Sequence, residues 1–263
     1  MSLEFDRTRK HEAYNPKMST AQICLECGGT GWRRSVDRVG VTRCDCLKRS
    51  RVERLFFRAG IPERYRHCDF ENFHSVRNVT TKSVEIAKIV AEEFVNRYPA
   101  PPPQTGLLFV GNPGAGKTHL AVALIKALIR LKSIPCLFRS FPELLKDIQS
   151  TYDPISQSSE YAIVEPVLQT EVLALDELGA KPPSAWVQDT VGYILNTRYN
   201  ENKVTMLTTN YPDRDPEFKS KITDTLVDRI GERIRSRLYE MCKTVPMNGR
   251  DFREAVMQGQ HQL

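Results

Sequence analysis

The chain has 263 residues, 40% of them hydrophobic, and a formal net charge of +6. This length allows one large domain and a small additional module. Its apolar runs fall short of the ~20 residues that a membrane-spanning helix needs, and the charged stretch Met1 to Tyr14 lacks the apolar segment of a secretory signal. We therefore expect a cytoplasmic protein with no membrane partner, in which clustered cysteines hold metal more often than they form disulfides.

Four cysteines follow a polar stretch, residues 1–22, that we expect to be a flexible tail. They form a C-x₂-C pair and a C-x-C pair, and two tight thiol pairs predict a tetrahedral zinc site. Because the second pair is one residue shorter than the usual spacing, a ligand could instead come from His67 or Cys68. Free or redox-active thiols are the other alternative. The predicted zinc ligands are Cys24, Cys27, Cys44 and Cys46.

The positive charge is concentrated in the same part of the chain. Between Gly31 and Gly60 there are nine lysines and arginines against three acidic residues, an excess equal to that of the whole chain. A basic segment of this kind indicates nucleic acid or an acidic protein surface as the partner, with an ordinary solvated face as the alternative. Leu47–Ala59 predicts an arginine-rich helix within it.

A glycine-rich run further along the chain predicts a nucleotide site. Gly111–Thr118 fits G-x-x-x-x-G-K-[ST], with a predicted strand at Leu107–Val110 and a predicted helix at His119–Leu128. We expect Lys117 to reach the β- and γ-phosphates and the Thr118 hydroxyl to ligate Mg²⁺. A glycine-rich structural turn is the alternative. The predicted nucleotide-binding residues are Gly111, Asn112, Pro113, Gly114, Ala115, Gly116, Lys117, Thr118 and His119.

Polar side chains follow two later apolar strands. Val172–Leu175 is followed by Asp176 and Glu177, 59 residues or more beyond the loop lysine, which is far enough for the chain to return in a neighbouring strand. We expect Asp176 to hold Mg²⁺ through water and Glu177 to act as general base toward an attacking water. Asn210, just after strand Val204–Thr208, is expected to orient that water or touch the γ-phosphate. Ordinary solvated turns are the alternative for these positions.

Residues 224–239 predict one helix that carries several arginines. Arg233 and Arg237 are four residues apart and share a face. An arginine presented to the γ-phosphate of a neighbouring subunit would stabilise the charge of the transition state. A solvated basic face is the alternative.

Buried strands alternate with helices throughout this half of the chain, which predicts an α/β fold with a parallel sheet covered by helices on both faces. The remaining predicted helices are 83–97, 141–152, 160–168 and 185–199, and the remaining predicted strands are 135–139 and 243–245.

Together these motifs resemble the AAA+ ATPases, and more closely their DnaC/IstB-like helicase-loader branch, over about Phe70 to Phe252. The branch-level hints are Ala59–Tyr65, Thr208–Asn210 and Gly231–Leu238. The resemblance implies a P-loop NTPase that uses ATP with Mg²⁺. It assigns Walker A to Gly111–Thr118, Walker B to Asp176 and Glu177, sensor 1 to Asn210, and the arginine finger to Arg237, with Arg233 beside it.

The resemblance also implies partners and a domain plan. The N-terminal zinc module would dock on a replicative DNA helicase, and the ATPase core would assemble with copies of itself on single-stranded DNA. Because the chain ends soon after Arg237, we expect no C-terminal lid domain. An IstB-like transposition helper and a zinc-bearing nucleic-acid adaptor with a structural nucleotide are the alternative functions. The predicted plan is a tail (1–22), a basic zinc module (23–58), a connector (59–80) and an AAA+ ATPase domain (81–263).

Overall fold

The computed structural model describes residues 23–34, 40–73, 81–99, 106–156, 158–213, 224–249 and 251–254. The predicted flexible tail lies outside these described residues. The chain divides into two compact units, Met1–Ser50 and Arg51–Leu263. Within the described residues, no helix combines the length and the apolar character needed to cross a bilayer.

The first unit contains a small antiparallel hairpin that the sequence does not predict. Strand β1 (Trp32–Arg34) pairs with β2 (Val41–Arg43), with Trp32 opposite Arg43. Each strand has three residues, which is too short for an alternating hydrophobic pattern to reveal. Helix α1 (Asp45–Arg58) starts two residues after β2.

The second unit is built on a five-stranded sheet in the order β4-β5-β6-β3-β7, in which every neighbouring pair is parallel. The predicted parallel α/β fold is therefore confirmed. The strands are β3 (Gly106–Gly111), β4 (Cys136–Ser140), β5 (Val172–Asp176), β6 (Val204–Thr209) and β7 (Cys242–Met247).

Helices cover both faces of this sheet, as expected for buried parallel strands. Side chains alternate along β3, so that Leu107 and Phe109 pack into one core and Leu108 into the other. Helices α2 and α3 cover the first face, and α4 to α8 cover the second. The helices are α2 (Lys82–Arg97), α3 (Lys117–Ala127), α4 (Phe141–Ser150), α5 (Glu160–Gln169), α6 (Ala185–Asn200), α7 (Leu226–Ile230) and α8 (Glu232–Met241).

One helix that the sequence predicts as continuous is interrupted in the structure. Residues 224–239 were expected to form a single helix, but the chain breaks between α7 and α8 at Gly231, whose φ is 84°. A positive φ lies outside the helical region and is accessible to glycine at little cost. The break gives α8, which carries Arg233 and Arg237, a direction of its own.

Candidate nucleotide-binding site

The glycine loop lies between β3, which ends at Gly111, and α3, which begins at Lys117. Gly116 has a φ of 92°, and a Cβ there would lie 2.7 Å from the ring of Phe73, so backbone and space both require glycine. The first amides of α3 have no partner within the helix and point toward the loop. A loop of this form at a helix N-terminus binds phosphate groups well.

Lys117 is buried at the start of α3. Its Nζ donates hydrogen bonds to the carbonyl oxygens of Gly111 (2.8 Å) and Asn112 (2.7 Å). Burial disfavours the ammonium form and lowers the pKa of Lys117 to about 8. A phosphate anion beside this nitrogen would supply the opposite charge that burial leaves missing.

A hydroxyl and carboxylate cluster joins the loop to β5 and β6. Thr118 Oγ1 donates to both carboxylate oxygens of Asp176, at 2.9 and 3.0 Å. Thr208 Oγ1 donates to Asp176 Oδ1 at 2.5 Å. Burial raises the pKa of Asp176, while the two hydroxyl bonds act in the opposite direction. Hydroxyl and carboxylate oxygens are the ligands that Mg²⁺ takes in proteins, so Thr118 and Asp176 fit a magnesium ion held beside bound phosphates.

Glu177 is held in an unusual backbone conformation next to this cluster. Its φ is 60°, and its N–H donates to Thr208 Oγ1 at 3.0 Å. Non-glycine residues adopt such a φ only where their surroundings impose it, and such positions are common at functional sites. Thr208 therefore bonds both acidic residues, a role that sequence reasoning missed because it considered only Asn210 at this strand end.

A cavity of about 510 Å³ opens over the loop. Gly111, Asn112 and Asp176 reach its lining through the Lys117 and Thr118 bonds described above. The structure thus gathers into one place the predicted residues of three separate strand ends. Those that line the cavity directly are Pro113, Gly114, Ala115, Gly116, Lys117, Thr118, His119, Glu177 and Asn210.

The opposite wall of the cavity comes from the connector between α1 and α2. Arg64, Tyr65, His67 and Phe73 line it, and the Arg64 guanidinium lies 4.8 Å from the centre of the Tyr65 ring. Sequence reasoning treated residues 59–80 only as a connector and gave their aromatic side chains no place in the site. The pattern "aromatic residues in an irregular segment" does not reveal which cavity they will face.

A short C-terminal segment also lies over the glycine loop. Phe252 N–H donates to Gly114 O at 3.2 Å, and a Cβ on Gly114 would lie 2.0 Å from the Asp251 carboxylate. Arg253 pairs with Asp251 and lines the cavity, and their bond lowers the pKa of Asp251. Nothing in the local sequence marks this segment as part of the site, because it arrives there through the pairing of β7 with β3.

The predicted finger arginines lie on α8, outside the described lining of the cavity. Arg237 Nη1 donates to Asn196 Oδ1 of α6, and its guanidinium lies 5.8 Å from the centre of the Tyr199 ring. Arg233 is exposed. The described part of the chain therefore keeps both arginines away from its own phosphate loop, an arrangement that suits action on a neighbouring molecule.

The four predicted zinc ligands converge within the first unit. Their sulfurs all lie within 4.8 Å of one another, with Cys24 to Cys44 at 3.7 Å and Cys27 to Cys46 at 3.5 Å. A tetrahedral zinc ion with Zn–S bonds of about 2.3 Å sets its sulfurs about 3.8 Å apart. The cluster therefore fits zinc. Because all four thiols are already together, the cluster needs no ligand from His67 or Cys68.

The backbone around these cysteines favours a bound cation. Burial alone would raise the pKa of Cys27, but hydrogen bonds from the Gly31 amide and from neighbouring thiols outweigh it and lower that pKa to about 6. These hydrogen bonds favour the thiolate, which is the form that binds metal. Positive φ values at Gly28 and Gly29 form the tight turn after the first thiol pair.

Comparisons with known proteins agree with this geometry. Residues 48–258 match the family described as IstB-like ATP binding protein. The uncharacterized protein YqaM of Bacillus subtilis (strain 168) is 25% identical over 233 residues, which cover 84% of this chain and 66% of that protein. The replicative helicase loader DnaC of Escherichia coli (strain K12) is 25% identical over 201 residues, 74% of this chain and 76% of DnaC. A crystal structure of the DnaC helicase loader superposes with a TM-score of 0.60 and 32% identity, covering 71% of this chain and 99% of that one.

Proposed function

This chain belongs to the family of IstB-like ATP-binding proteins and is related to the DnaC helicase loaders, and on that premise we propose that it is an ATPase that delivers a replicative helicase to DNA. The observation that carries the proposal is the convergence of Lys117, Thr118, Asp176 and Glu177 on one cavity. A nucleotide held only as a structural ligand would need the lysine and the loop. It would not need Glu177, a second carboxylate that is held in a strained backbone conformation at the same edge of the sheet.

Each residue has a distinct part in the proposed hydrolysis. When ATP binds, the Lys117 ammonium leaves the carbonyl oxygens of Gly111 and Asn112 and contacts the β- and γ-phosphates instead. Thr118 and Asp176 would hold Mg²⁺, which would neutralise charge on those phosphates. Glu177 takes a proton from a water whose oxygen bonds to the γ-phosphorus, while the bond from that phosphorus to the β–γ bridging oxygen breaks and ADP leaves. Asn210 orients that water from the neighbouring strand end.

Replacement of the proposed base tests the enzymatic part of the proposal. Glu177→Gln should bind ATP like the parent chain but hydrolyse it on the order of 10²–10⁴ times more slowly, because only proton transfer is lost. The matched control is Glu143→Gln, the same change at an exposed position on α4. Equal turnover in Glu177→Gln and the parent would falsify the assignment of the base. No ATP turnover by the parent in any assembly would favour the adaptor with a structural nucleotide.

Complementation tests whether Arg237 acts on a neighbouring subunit. Lys117→Ala and Arg237→Ala should each be inactive alone, yet an equal mixture should recover activity at about one quarter of its interfaces, where an intact loop meets an intact arginine. The matched control mixes Lys117→Ala with Glu177→Gln. These two changes damage the same site of one chain, so no interface in that mixture is complete and no recovery is expected. Recovery in both mixtures, or in neither, contradicts a finger acting between subunits.

The partner is tested by capture with the full chain. We propose that the cysteine module binds the replicative helicase and that the ATPase unit assembles on single-stranded DNA, with an affinity that falls as salt rises. The replicative helicase of the source organism should be retained by the parent, and less by a Cys24→Ser, Cys27→Ser double variant. The family is described as IstB-like, and an IstB-like transposition helper is the alternative function that the sequence resemblance implies. Capture of a transposase in place of the helicase would support that alternative.

A further inference from the structure

Three metal-binding side chains that the proposed hydrolysis does not use meet at the wall of the cavity. They are His67 and Cys68 from the connector and His119 from the first turn of α3. One ligand atom from each lies within 4.8 Å of the other two, and His67 Nε2 lies 3.7 Å from Cys68 Sγ. We propose that His67, Cys68 and His119 form a second zinc site, separate from the four-cysteine cluster.

The hydrogen bond made by His119 prepares it as a ligand. Its Nε2 lies 2.9 Å from the main-chain oxygen of Asp69. A carbonyl oxygen can only accept, so Nε2 carries the proton and the lone pair of the ring is on Nδ1. Histidines that bind metals characteristically donate their other ring N–H to a carbonyl or carboxylate, which fixes the tautomer and the ring orientation.

The connector is fixed firmly against the helix that carries His119. Lys126 is buried, and its Nζ donates to Arg66 O (2.6 Å), Cys68 O (2.8 Å) and Asp69 Oδ2 (2.8 Å). Lys126 follows His119 by seven residues, close to two helical turns, so both side chains project from the same face of α3. The two halves of the site therefore cannot move apart without breaking these three bonds.

The surroundings of Cys68 differ from those of the other buried cysteines of this unit. Cys136 has its Sγ 3.5 Å from Ile134 O, and Cys242 has its Sγ 3.3 Å from Thr205 O, so each has a backbone acceptor and no metal-binding cluster among the described residues includes them. For Cys68, two imidazoles at ligand distance indicate a different role.

The number of ligands predicts the kind of site. Three protein ligands leave one position of a zinc tetrahedron open, as in catalytic rather than structural zinc sites. His67, Cys68 and His119 all line the cavity, so the fourth ligand would come from it, as water or as a group of a bound molecule. Two nitrogens and one thiolate suit zinc better than Mg²⁺, which prefers oxygen.

Metal content of the full-length chain tests the proposal without reference to ATP hydrolysis. Reduced protein without nucleotide is saturated with Zn²⁺, desalted and analysed for zinc. The parent should retain two zinc ions per chain, and Cys68→Ala and His119→Ala should each retain one. Cys136→Ala, which also removes a buried thiol, is the matched control and should retain two. Equal zinc content in the parent, Cys68→Ala and His119→Ala would overturn the proposal.

A cobalt absorption spectrum of a chain that lacks the four-cysteine site tests the second site without counting zinc ions. In a variant with Cys24, Cys27, Cys44 and Cys46 all changed to serine, added Co²⁺ should give a thiolate-to-cobalt absorption from Cys68, the one thiolate ligand that remains in the two proposed sites. That absorption should disappear on further change of Cys68 to serine and persist with Cys136→Ala. An absorption that survives the Cys68 change, or that never forms in a chain whose circular dichroism matches the parent, contradicts the site.

Discussion

Thr208→Val is the substitution whose effects follow most directly from the observed contacts. The Thr208 hydroxyl donates to Asp176 Oδ1 at 2.5 Å and accepts the Glu177 N–H at 3.0 Å. Valine keeps the branched shape of the side chain and removes only the hydroxyl. The buried carboxylate then loses one of its two hydroxyl donors, and the strained backbone of Glu177 loses the bond that holds it.

The expected magnitude is the sum of these two losses. A hydrogen bond to a charged group contributes about 1.5–3 kcal/mol and a neutral one about 0.5–1.5 kcal/mol, so the free energy of unfolding should fall by about 2–4.5 kcal/mol. ATP turnover should fall on the order of 10²-fold, because small displacements of a catalytic group have effects of this size. Nucleotide affinity should change little, since neither Lys117 nor the glycine loop bonds to Thr208.

Thr209→Val is the matched control on the same strand. Thr209 is equally buried and also makes two hydrogen bonds, to Leu178 O at 2.9 Å and from the Tyr211 amide at 3.2 Å, but neither reaches an acidic residue. Urea unfolding should therefore show a stability loss in both variants, and steady-state ATPase assays below the unfolding range should show a turnover loss in Thr208→Val alone. Equal turnover losses in the two variants would refute a positioning role for Thr208.

Three further predictions concern charge and metal. The lowered pKa of Lys117 means that the folded chain holds this proton more weakly than the unfolded chain, so stability should decrease as the pH falls from about 10.5 to about 8, and this contribution should level off below that. Binding of Mg-ATP at pH 8 should take up about half a proton, measured by calorimetry in two buffers, and Lys117→Arg should abolish this uptake. Asp251→Asn should tighten ATP binding about fivefold, since a carboxylate beside Gly114 repels phosphate; unchanged or weaker binding contradicts this. Chelation should expose residues 23–50 to protease while Arg51–Leu263 still unfolds cooperatively; protection of 23–50 in metal-free protein contradicts a zinc role.

The residues whose position in the fold sequence analysis predicted share one property. The pattern of the neighbouring sequence is enough to place each of them. The glycine loop needs a strand before it and a helix after it, and both are visible between Leu107 and Leu128. Asp176 ends a strand of five buried residues and Glu177 follows it, and carboxyl ends of parallel strands meet at one edge of a sheet. The parallel fold itself follows from the alternation of buried strands and helices.

The parts that sequence analysis missed depend on contacts between distant segments. The Thr208 hydroxyl acquires its role only because β6 lies beside β5. Asp251 reaches the loop because β7 pairs with β3, and His67 meets His119 because Lys126 fixes the connector to α3. Neither hydropathy nor spacing encodes these neighbours. The break at Gly231 was missed for another reason, since one glycine inside a helical pattern is often tolerated.

The position of Arg237 links the two halves of the proposed mechanism. Gly179, two residues beyond Glu177, has a φ of 84°, and a Cβ there would lie 3.1 Å from the side chain of Arg229 on α7. α7 leads through Gly231 into α8, where Arg237 bonds to α6. The strand end that carries the proposed base is thus packed against the helix pair that carries the proposed finger. Leu178, which follows the proposed base, lies in the same hydrophobic core as Ile230 of α7 and Leu238 of α8, so the proposed base and the proposed finger are held by one packed face of the sheet.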